Sequence, residues 1–156
     1  MRKFKYRAKH YYTGKWVYGS SVIFCDDCCY IDKDDECYEK ANTFGDYTHF
    51  LELATVKCEL TAVCQFTGLH DKNGKEIYEG DFIRSFDSNH NEILHYIEWK
   101  ETEARFVATL VKHTHDLDIS IPVSSSISQE WIDEFEKEVI GDIYDIVVIR
   151  QHKLIK

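Results

Sequence analysis

The residues of this chain whose chemistry is easiest to name are its six cysteines. Three of them stand in Cys25-Asp26-Asp27-Cys28-Cys29, while Cys37, Cys58 and Cys64 follow singly. A two-residue gap between thiols is common in structural zinc sites, and one or two of the later cysteines would complete the ligand set. A second close pair is missing, so free thiols are the favoured interpretation, and neither a metal nor a cofactor is predicted.

A second pattern with metal-binding character is His113-Thr114-His115. On a straight strand the two imidazoles would share one face, an arrangement found in metal sites and on ordinary solvent faces. A third ligand cannot be named, and the segment runs into a polar tip. The edge of a loop is therefore the preferred interpretation.

Motifs for nucleophilic or nucleotide-hydrolysing catalysis are missing from the sequence. The serines of Ser124-Ser125-Ser126 lie in a polar linker without a glycine-flanked nucleophile motif. The seven glycines are dispersed singly, so no phosphate-binding loop is formed. No catalytic residue is predicted, and a zinc-dependent enzyme built from dispersed residues is kept only as an alternative.

Aromatic and basic residues are interleaved near the start of the chain. Phe4-Lys5-Tyr6-Arg7, Tyr11-Tyr12 and Trp16 would suit a stacking platform for single-stranded nucleic acid or for a base. A half-buried strand explains the first four equally well, with Phe4 and Tyr6 inward and Lys5 and Arg7 outward. The net charge of −9 opposes contact with phosphates, so a nucleic-acid partner is not favoured. A nucleic-acid module and an acidic mimic of DNA remain alternatives.

Charge is distributed unevenly between the two ends of the chain. Residues 1–16 hold six lysines and arginines and no acid, whereas residues 129–145 hold seven acids and one lysine. Simple solvation or packing of one end beside the other accounts for this pattern. Head-to-tail assembly is the sharper interpretation, and a homo-oligomer is predicted.

Length and composition predict a folded, cytoplasmic protein. A chain of 156 residues that is 44% hydrophobic has ample material for a core. No apolar run approaches the roughly 18 residues of a membrane span, and the basic start lacks the apolar segment of a signal peptide. We therefore expect no membrane partner and reduced thiols.

The elements that position these residues are predicted to be short antiparallel strands. Alternation around Thr13-Gly14-Lys15 predicts a hairpin, and the acid-rich segment 26–39 predicts an exposed loop. Asn73-Gly74 predicts a hairpin turn in which both residues have positive φ. A helix is expected to start at Ser126 or Ser128, with Gln129 completing a capping box, and to run through Lys137. Five short apolar runs, at 82–83, 93–99, 106–111, 117–121 and 139–144, predict a small barrel. Gly141 predicts a bend or a close backbone approach in the last strand.

Three blocks carry a resemblance to a known family: QFTGLHDKNGKEIYEGDFIR (residues 65–84), IEWKETEARFVAT (97–109) and EVIGDIY (138–144). The chain resembles the YopX proteins of phages and prophages. The resemblance implies an SH3-like barrel in the second half. It also marks a set of structural or ligand-facing positions: Thr67, Gly68, Leu69, Asp71, Asn73, Gly74, Tyr78, Gly80, Asp81, Trp99, Arg105, Phe106, Gly141 and Tyr144.

Together these patterns predict a mainly β (α+β) protein: an N-terminal hairpin lobe (1–60), an SH3-like barrel with one inserted helix (61–149) and a tail (150–156). The apolar strip 146–149, which contains Val147 and Ile149, suits another strand or a partner surface. The leading functional hypothesis is a non-enzymatic phage or mobile-element accessory protein that self-associates and binds a host protein or a small nucleotide signal, as a counter-defence factor would. Arg84, Arg105 or Lys112 would meet the phosphates of such a nucleotide.

Overall fold

A computed structural model describes residues 4–32, 55–113 and 124–145 of the chain. The chain divides into two compact units, Met1–Phe66 and Thr67–Lys156. The long strand β5 (Thr55–His70) contributes residues to both units. The predicted boundary after residue 60 lies within this same strand.

The first unit is an antiparallel sheet. Its strands are β1 (Tyr6–His10), β2 (Trp16–Gly19), β3 (Val22–Phe24), β4 (Cys29–Asp32) and the first part of β5. They are ordered β2-β1-β5-β4-β3. One face carries a cluster of buried side chains: Ala8, Cys29, Ile31, Val56 and Cys58.

The predicted N-terminal hairpin is confirmed, with Ala8 opposite Val17. Its predicted facing pattern is wrong at two positions, because Arg7 is only 4% exposed and Phe4 is 56% exposed. Arg7 lies with its guanidinium carbon 4.3 Å from the centre of the Trp16 ring, so an aromatic surface accommodates the charge. The expected acidic loop is also wrong in part, because Cys29–Asp32 forms β4; residues 33–54 lie outside the described residues.

Gly19 marks a close approach between β2 and β4. A Cβ atom at this position would lie 1.8 Å from the Asp32 carbonyl oxygen and 2.5 Å from Cγ2 of Ile31. The Asp32 N–H donates to the Ser21 carbonyl at 3.3 Å in the same region. The missing side chain of Gly19 is therefore what lets these strands meet.

The second unit holds another antiparallel sheet. Its strands are β7 (Asp81–Phe86), β8 (Glu92–Lys100), β9 (Arg105–His113), β10 (Ser124–Ser126) and β11 (Glu138–Asp142), in the order β10-β9-β8-β7-β11. A short strand β6 (Glu76–Tyr78) pairs with β5, whose last residues belong to this unit. The buried cluster consists of Ile77, Ile83, Ile97, Ala108 and Ile132.

The mainly β architecture with antiparallel sheets and one helix is confirmed. The strands within the described ranges do not close into a barrel, since β10 and β11 form the two edges of their sheet. Four of the five predicted apolar runs coincide with β7, β8, β9 and β11. The fifth, 117–121, lies outside the described residues.

The single α-helix of the described residues, α1 (Gln129–Glu134), is shorter than predicted. Ser128 caps it, because its hydroxyl accepts from the Trp131 N–H at 3.1 Å, whereas Ser126 belongs to β10. The predicted capping box is wrong. The helix ends in a Schellman motif, with Glu136 at φ 46° and the Lys137 N–H donating to the Ile132 carbonyl at 3.0 Å. No helix in the described part of the chain is long and apolar enough to cross a membrane.

Candidate functional site

Asp71 organises the turn at the centre of the family-like block. It is 5% exposed, and its Oδ1 accepts from the N–H groups of Asn73 at 2.8 Å and Lys75 at 2.9 Å. Its Oδ2 accepts from the Val139 N–H at 3.0 Å, which joins the turn to β11. Only Gly74 has positive φ, 80°, so the prediction that Asn73 shares this conformation is wrong. The Asp71 N–H donates to the Lys75 carbonyl at 2.8 Å, so the loop has three residues, and such a loop needs positive φ at one residue only.

Asp81 performs a similar task in the next turn. Its side chain is fully buried, and Oδ2 accepts from the Tyr78 N–H at 2.8 Å. Gly80 has φ 84° and donates its N–H to the Ile97 carbonyl at 2.8 Å. The hydroxyl of Tyr78, which is 2% exposed, donates to Glu76 at 2.7 Å. These groups hold backbone in place.

The start of the block bends β5. The Thr67 hydroxyl donates to the Ile77 carbonyl at 2.8 Å and accepts from the Leu69 N–H at 3.2 Å. Gly68 lies between them with φ 91°. The side chain of Leu69 packs on the buried cluster of the second unit.

The remaining family-like positions are spread over the second unit. Trp99 is 40% exposed and makes an edge contact with buried Phe106, with ring centres 5.1 Å apart. Gly141 lies at an irregularity in the pairing of β11 with β7, where the register shifts between Val139 and Gly141. Tyr144 is 40% exposed, and its N–H donates to Asp142 at 2.9 Å. Whether any of these positions faces a ligand stays a prediction.

The arginines proposed to meet phosphates already bind carboxylates. Arg84 donates to Glu138 through Nε at 3.0 Å and through Nη2, and these bonds lower the pKa of Glu138. Arg105 donates through Nε to Glu103 at 2.7 Å and also contacts Ser126. A phosphate would have to displace these partners, which argues against a nucleotide site at either arginine.

A surface pocket is found instead in the first unit, where β5 departs from regular pairing. In the pairing of β1 with β5, Ala8 lies opposite Val63, but His10 lies opposite Cys58. An advance of two residues along β1 therefore corresponds to five residues along β5. The extra residues bulge out of the ladder, and bulges of this kind re-aim side chains.

The pocket lies at this bulge. Its volume is ≈ 520 Å³, and its lining residues are Tyr11, Asp27, Glu59, Leu60 and Thr61. The pocket therefore combines an aromatic ring, an aliphatic side chain, a hydroxyl and two carboxylates. No pattern in the sequence signalled it, because the bulge depends on the register between strands that are far apart in the chain.

A cation stands beside the pocket. The ammonium of Lys57 lies 4.2 Å from the centre of the Tyr11 ring. Desolvation by itself lowers the pKa of Lys57, but the attraction of Cys28, Tyr11 and Asp27 raises it overall. Lys57 is therefore charged at neutral pH, and the site offers both acceptors and a donor to a ligand.

Aromatic side chains near the pocket are exposed. Tyr12 is 78% exposed and meets Tyr11 edge-on, with ring centres 5.2 Å apart. On β1 and β2, the Lys9 ammonium and the Arg7 guanidinium each lie 4.3 Å from the centre of the Trp16 ring. The basic and aromatic residues singled out in the sequence thus form cation–π pairs in the structure.

The cysteines do not assemble into a metal centre within the described ranges. No group of three or more His, Cys, Asp or Glu side chains there is placed to hold a metal ion, and Cys37 and His115 lie outside those ranges. Cys25 is exposed, whereas Cys28, Cys29, Cys58 and Cys64 are buried thiols.

A second polar site, in the second unit, was not anticipated from the sequence. Lys137 is 3% exposed, and its ammonium lies 4.0 Å from the centre of the Trp131 ring, 4.3 Å from that of Phe135 and 3.4 Å from the Ser85 hydroxyl. Burial lowers the pKa of Lys137 to about 8. Burial and the charge of Lys137 lower the pKa of His95 to about 4, and that imidazole meets Trp131 edge-on at 5.3 Å. The aromatic contacts account for the burial of this amine.

Comparison with known proteins places this architecture in a lineage. Protein EF1440 from Enterococcus faecalis has a crystal structure that is similar to this chain, with a TM-score of 0.49 and 20% identity over 91% of this chain and 94% of that one. No curated protein matches the sequence. A sequence model described as YopX protein matches residues 5–146, which include all the described strands and the helix. The chain belongs to the YopX protein family.

Proposed function

We propose that this protein is a non-catalytic binding module and that the pocket at the β5 bulge is where it takes its ligand. The observation that carries this proposal is the mixed lining of the pocket, Tyr11 and Leu60 beside Asp27 and Glu59. Such a combination of apolar contact area with a few polar groups is typical of small-molecule sites. Asp71 and Asp81 support the same reading, because both carboxylates are occupied by backbone amides rather than offered to a substrate.

The pocket chemistry favours a ligand with a flat ring and hydrogen-bond donors. A nucleobase would pack against Tyr11, and its amino group would donate to Asp27 or Glu59. The ammonium of Lys57, close to Tyr11, is placed to attract a phosphate on the same molecule. Two carboxylates repel a highly charged ligand, so we expect a nucleoside or a nucleotide with few phosphates.

The biological setting that fits best is that of a phage or mobile-element accessory protein. It would self-associate and hold a small nucleotide signal or a host protein, and so act against host defence from the cytoplasm. Self-association is supported by the opposite charges of residues 1–16 and 129–145. Membership of the YopX family supports the lineage.

A thermal-shift panel of nucleosides, nucleotides and polyamines tests the pocket, with calorimetry for each compound that raises the melting temperature. Replacing Tyr11 by alanine should weaken binding about tenfold, because ring stacking contributes roughly 1–3 kcal/mol. Glu59→Gln should weaken the binding of ligands that donate a hydrogen bond to the Glu59 carboxylate. Tyr144→Ala is the matched control, since Tyr144 is also about 40% exposed but lies in the family-like block.

If Tyr11→Ala and Tyr144→Ala lower the affinity for the ligand equally, the ligand binds outside this pocket. If no compound binds and a host protein is retained on wild-type material but not on Tyr11→Ala, the ligand is a protein segment. If neither small molecules nor host proteins bind, the binding-module proposal is wrong.

One observation favours a second candidate, a module for single-stranded nucleic acid. Lys9 and Trp16 form a cation–π pair close to the highly exposed Tyr12, as in stacking platforms. Retention of short oligonucleotides at low salt that is lost in Tyr12→Ala and Lys9→Glu would support it. Binding that is independent of salt concentration would contradict it.

A further inference from the structure

The turn between β3 and β4 places two thiols opposite each other. Cys25 and Cys28 flank Asp26-Asp27, and the Cys25 N–H donates to the Cys28 carbonyl at 2.9 Å. The ladder continues with Phe24 facing Cys29. Hydrogen-bonded residues that face each other across antiparallel strands have Cα atoms about 5.5 Å apart. Disulfides span Cα distances of about 4.4–6.8 Å, so the backbone is already in position for one.

The side chains agree with the backbone. Because Cys25 and Cys28 are opposite each other on antiparallel backbone, their side chains lie on the same face of the hairpin. Cys25 is exposed, while Cys28 is 3% exposed. A reagent in solution therefore reaches the Cys25 sulfur first, while the Cys28 sulfur is shielded from it.

The neighbouring thiols are protected from the same chemistry. Cys29 and Cys58 face each other across β4 and β5, and both are fully buried. The Cys29 thiol donates to the Glu59 carbonyl at 3.7 Å, and the Cys58 thiol to the Val56 carbonyl at 3.4 Å. Burial raises the pKa of Cys29 to about 11, which keeps it protonated and unreactive.

We propose that Cys25 and Cys28 form a reversible intrachain disulfide by exchange with a low-molecular-weight disulfide. The Cys25 thiolate attacks one sulfur of the small disulfide, which forms a mixed disulfide and releases one small thiolate. The Cys28 thiol then loses its proton, and its sulfur attacks Cys25, which releases the second small thiolate. Two protein thiols are oxidised to one disulfide, and one small disulfide is reduced to two thiols.

The site is a redox couple rather than a structural staple. A loop of two intervening residues is short, so its closure removes little entropy from the unfolded chain. The oxidised and reduced forms should therefore have similar stability. Exchange in either direction is then set by the surrounding thiol pool.

The test uses the full-length reduced protein in mixtures of oxidised and reduced glutathione, followed by acid quenching, alkylation and mass spectrometry. We expect the wild type to lose two hydrogens and two alkylation sites, with Cys25 and Cys28 linked in one peptide. Cys28→Ser should accumulate a glutathione adduct on Cys25, because the resolving thiol is gone. Cys25→Ser should form neither product. Desolvation and the Cys28 thiol raise the pKa of Cys25, so the exchange should accelerate between pH 7 and pH 9.

Two controls separate this pair from the other thiols. Cys64→Ser and Cys37→Ser should oxidise as the wild type does, and circular dichroism checks that each variant is folded. A wild type that stays fully alkylated in oxidised glutathione would overturn the proposal. A disulfide that joins other cysteines would overturn it too, as would a folded Cys28→Ser variant without an adduct on Cys25.

Discussion

Lys137 offers a direct test of how this fold holds a buried charge. The residue follows α1, where the Schellman motif turns the chain, and its amine lies between Trp131 and Phe135 with Ser85 as its hydrogen-bond partner. Replacing Lys137 by methionine keeps an unbranched side chain, one heavy atom shorter, and removes the charge. We expect the variant to be more stable than the wild type at neutral pH.

The magnitude follows from the pKa of the amine. Burial lowers the pKa of Lys137 from 10.5 to about 8, a difference of about 2.5. The unfolded chain therefore binds more protons than the folded one between pH 8 and pH 10.5, so the free energy of unfolding rises with pH across that window. Below pH 8 the whole penalty applies, at most about 3 kcal/mol. The contacts with the two rings offset about 0.5–2 kcal/mol, so Lys137→Met should gain about 1–3 kcal/mol at pH 7.

Urea unfolding followed by circular dichroism at pH 7, 8.5 and 10 measures this effect. Other groups titrate in the same window, so the informative quantity is the difference between the variant and the wild type, which should shrink as pH rises. Lys75→Met is the matched control, because Lys75 is exposed and should show no such trend. A variant that is less stable than the wild type at pH 7, or a difference independent of pH, would refute the reasoning.

Four further substitutions test the backbone. Gly19→Ala should destabilise the protein by more than about 2 kcal/mol in thermal unfolding, because the new Cβ would lie 1.8 Å from the Asp32 carbonyl oxygen. Gly14 has open space around it but φ 64°, so Gly14→Ala should lower the free energy of unfolding by only about 1 kcal/mol. Equal losses of stability in Gly14→Ala and Gly19→Ala would contradict the steric argument. Glu136→Gly should raise the melting temperature by relieving φ 46°, a gain of about 0.5–1 kcal/mol. Asp71→Ala should lower the free energy of unfolding by at least about 2 kcal/mol. It should also speed hydrogen exchange of the three backbone N–H groups that donate to the Asp71 carboxylate. Unchanged exchange would refute the idea that Asp71 holds these groups.

Features that depend on neighbours in sequence were predictable from the sequence. The turn at Gly74 and the first hairpin both follow from residue types that favour one local backbone shape. The helix was found, but its start was ambiguous because Ser126 and Ser128 are both good capping residues. Its end was missed because a non-glycine residue, Glu136, takes the left-handed conformation.

Features that depend on pairing between distant segments were not predictable. The pocket exists because β5 gains extra residues opposite β1 between Cys58 and Val63, and nothing within either strand reveals that mismatch. The ion pairs of Arg84 were invisible for the same reason, since Glu138 is brought beside it by the pairing of β11 with β7. A phosphate at Arg84 would have to compete with Glu138, a partner that the sequence alone does not place there.

Two buried cations share one physical cause. Arg7 was predicted to face solvent because it is charged, yet it is 4% exposed, and Lys137 is 3% exposed. Each has an apolar stem, and each rests its charged end on a tryptophan ring, Trp16 or Trp131. An aromatic face replaces part of the lost hydration, so a cation opposite a tryptophan is partly compatible with burial. A pattern that scores lysine and arginine only as polar therefore fails where a tryptophan lies on the neighbouring strand, as Trp16 does for Arg7, or six residues earlier in the chain, as Trp131 does for Lys137.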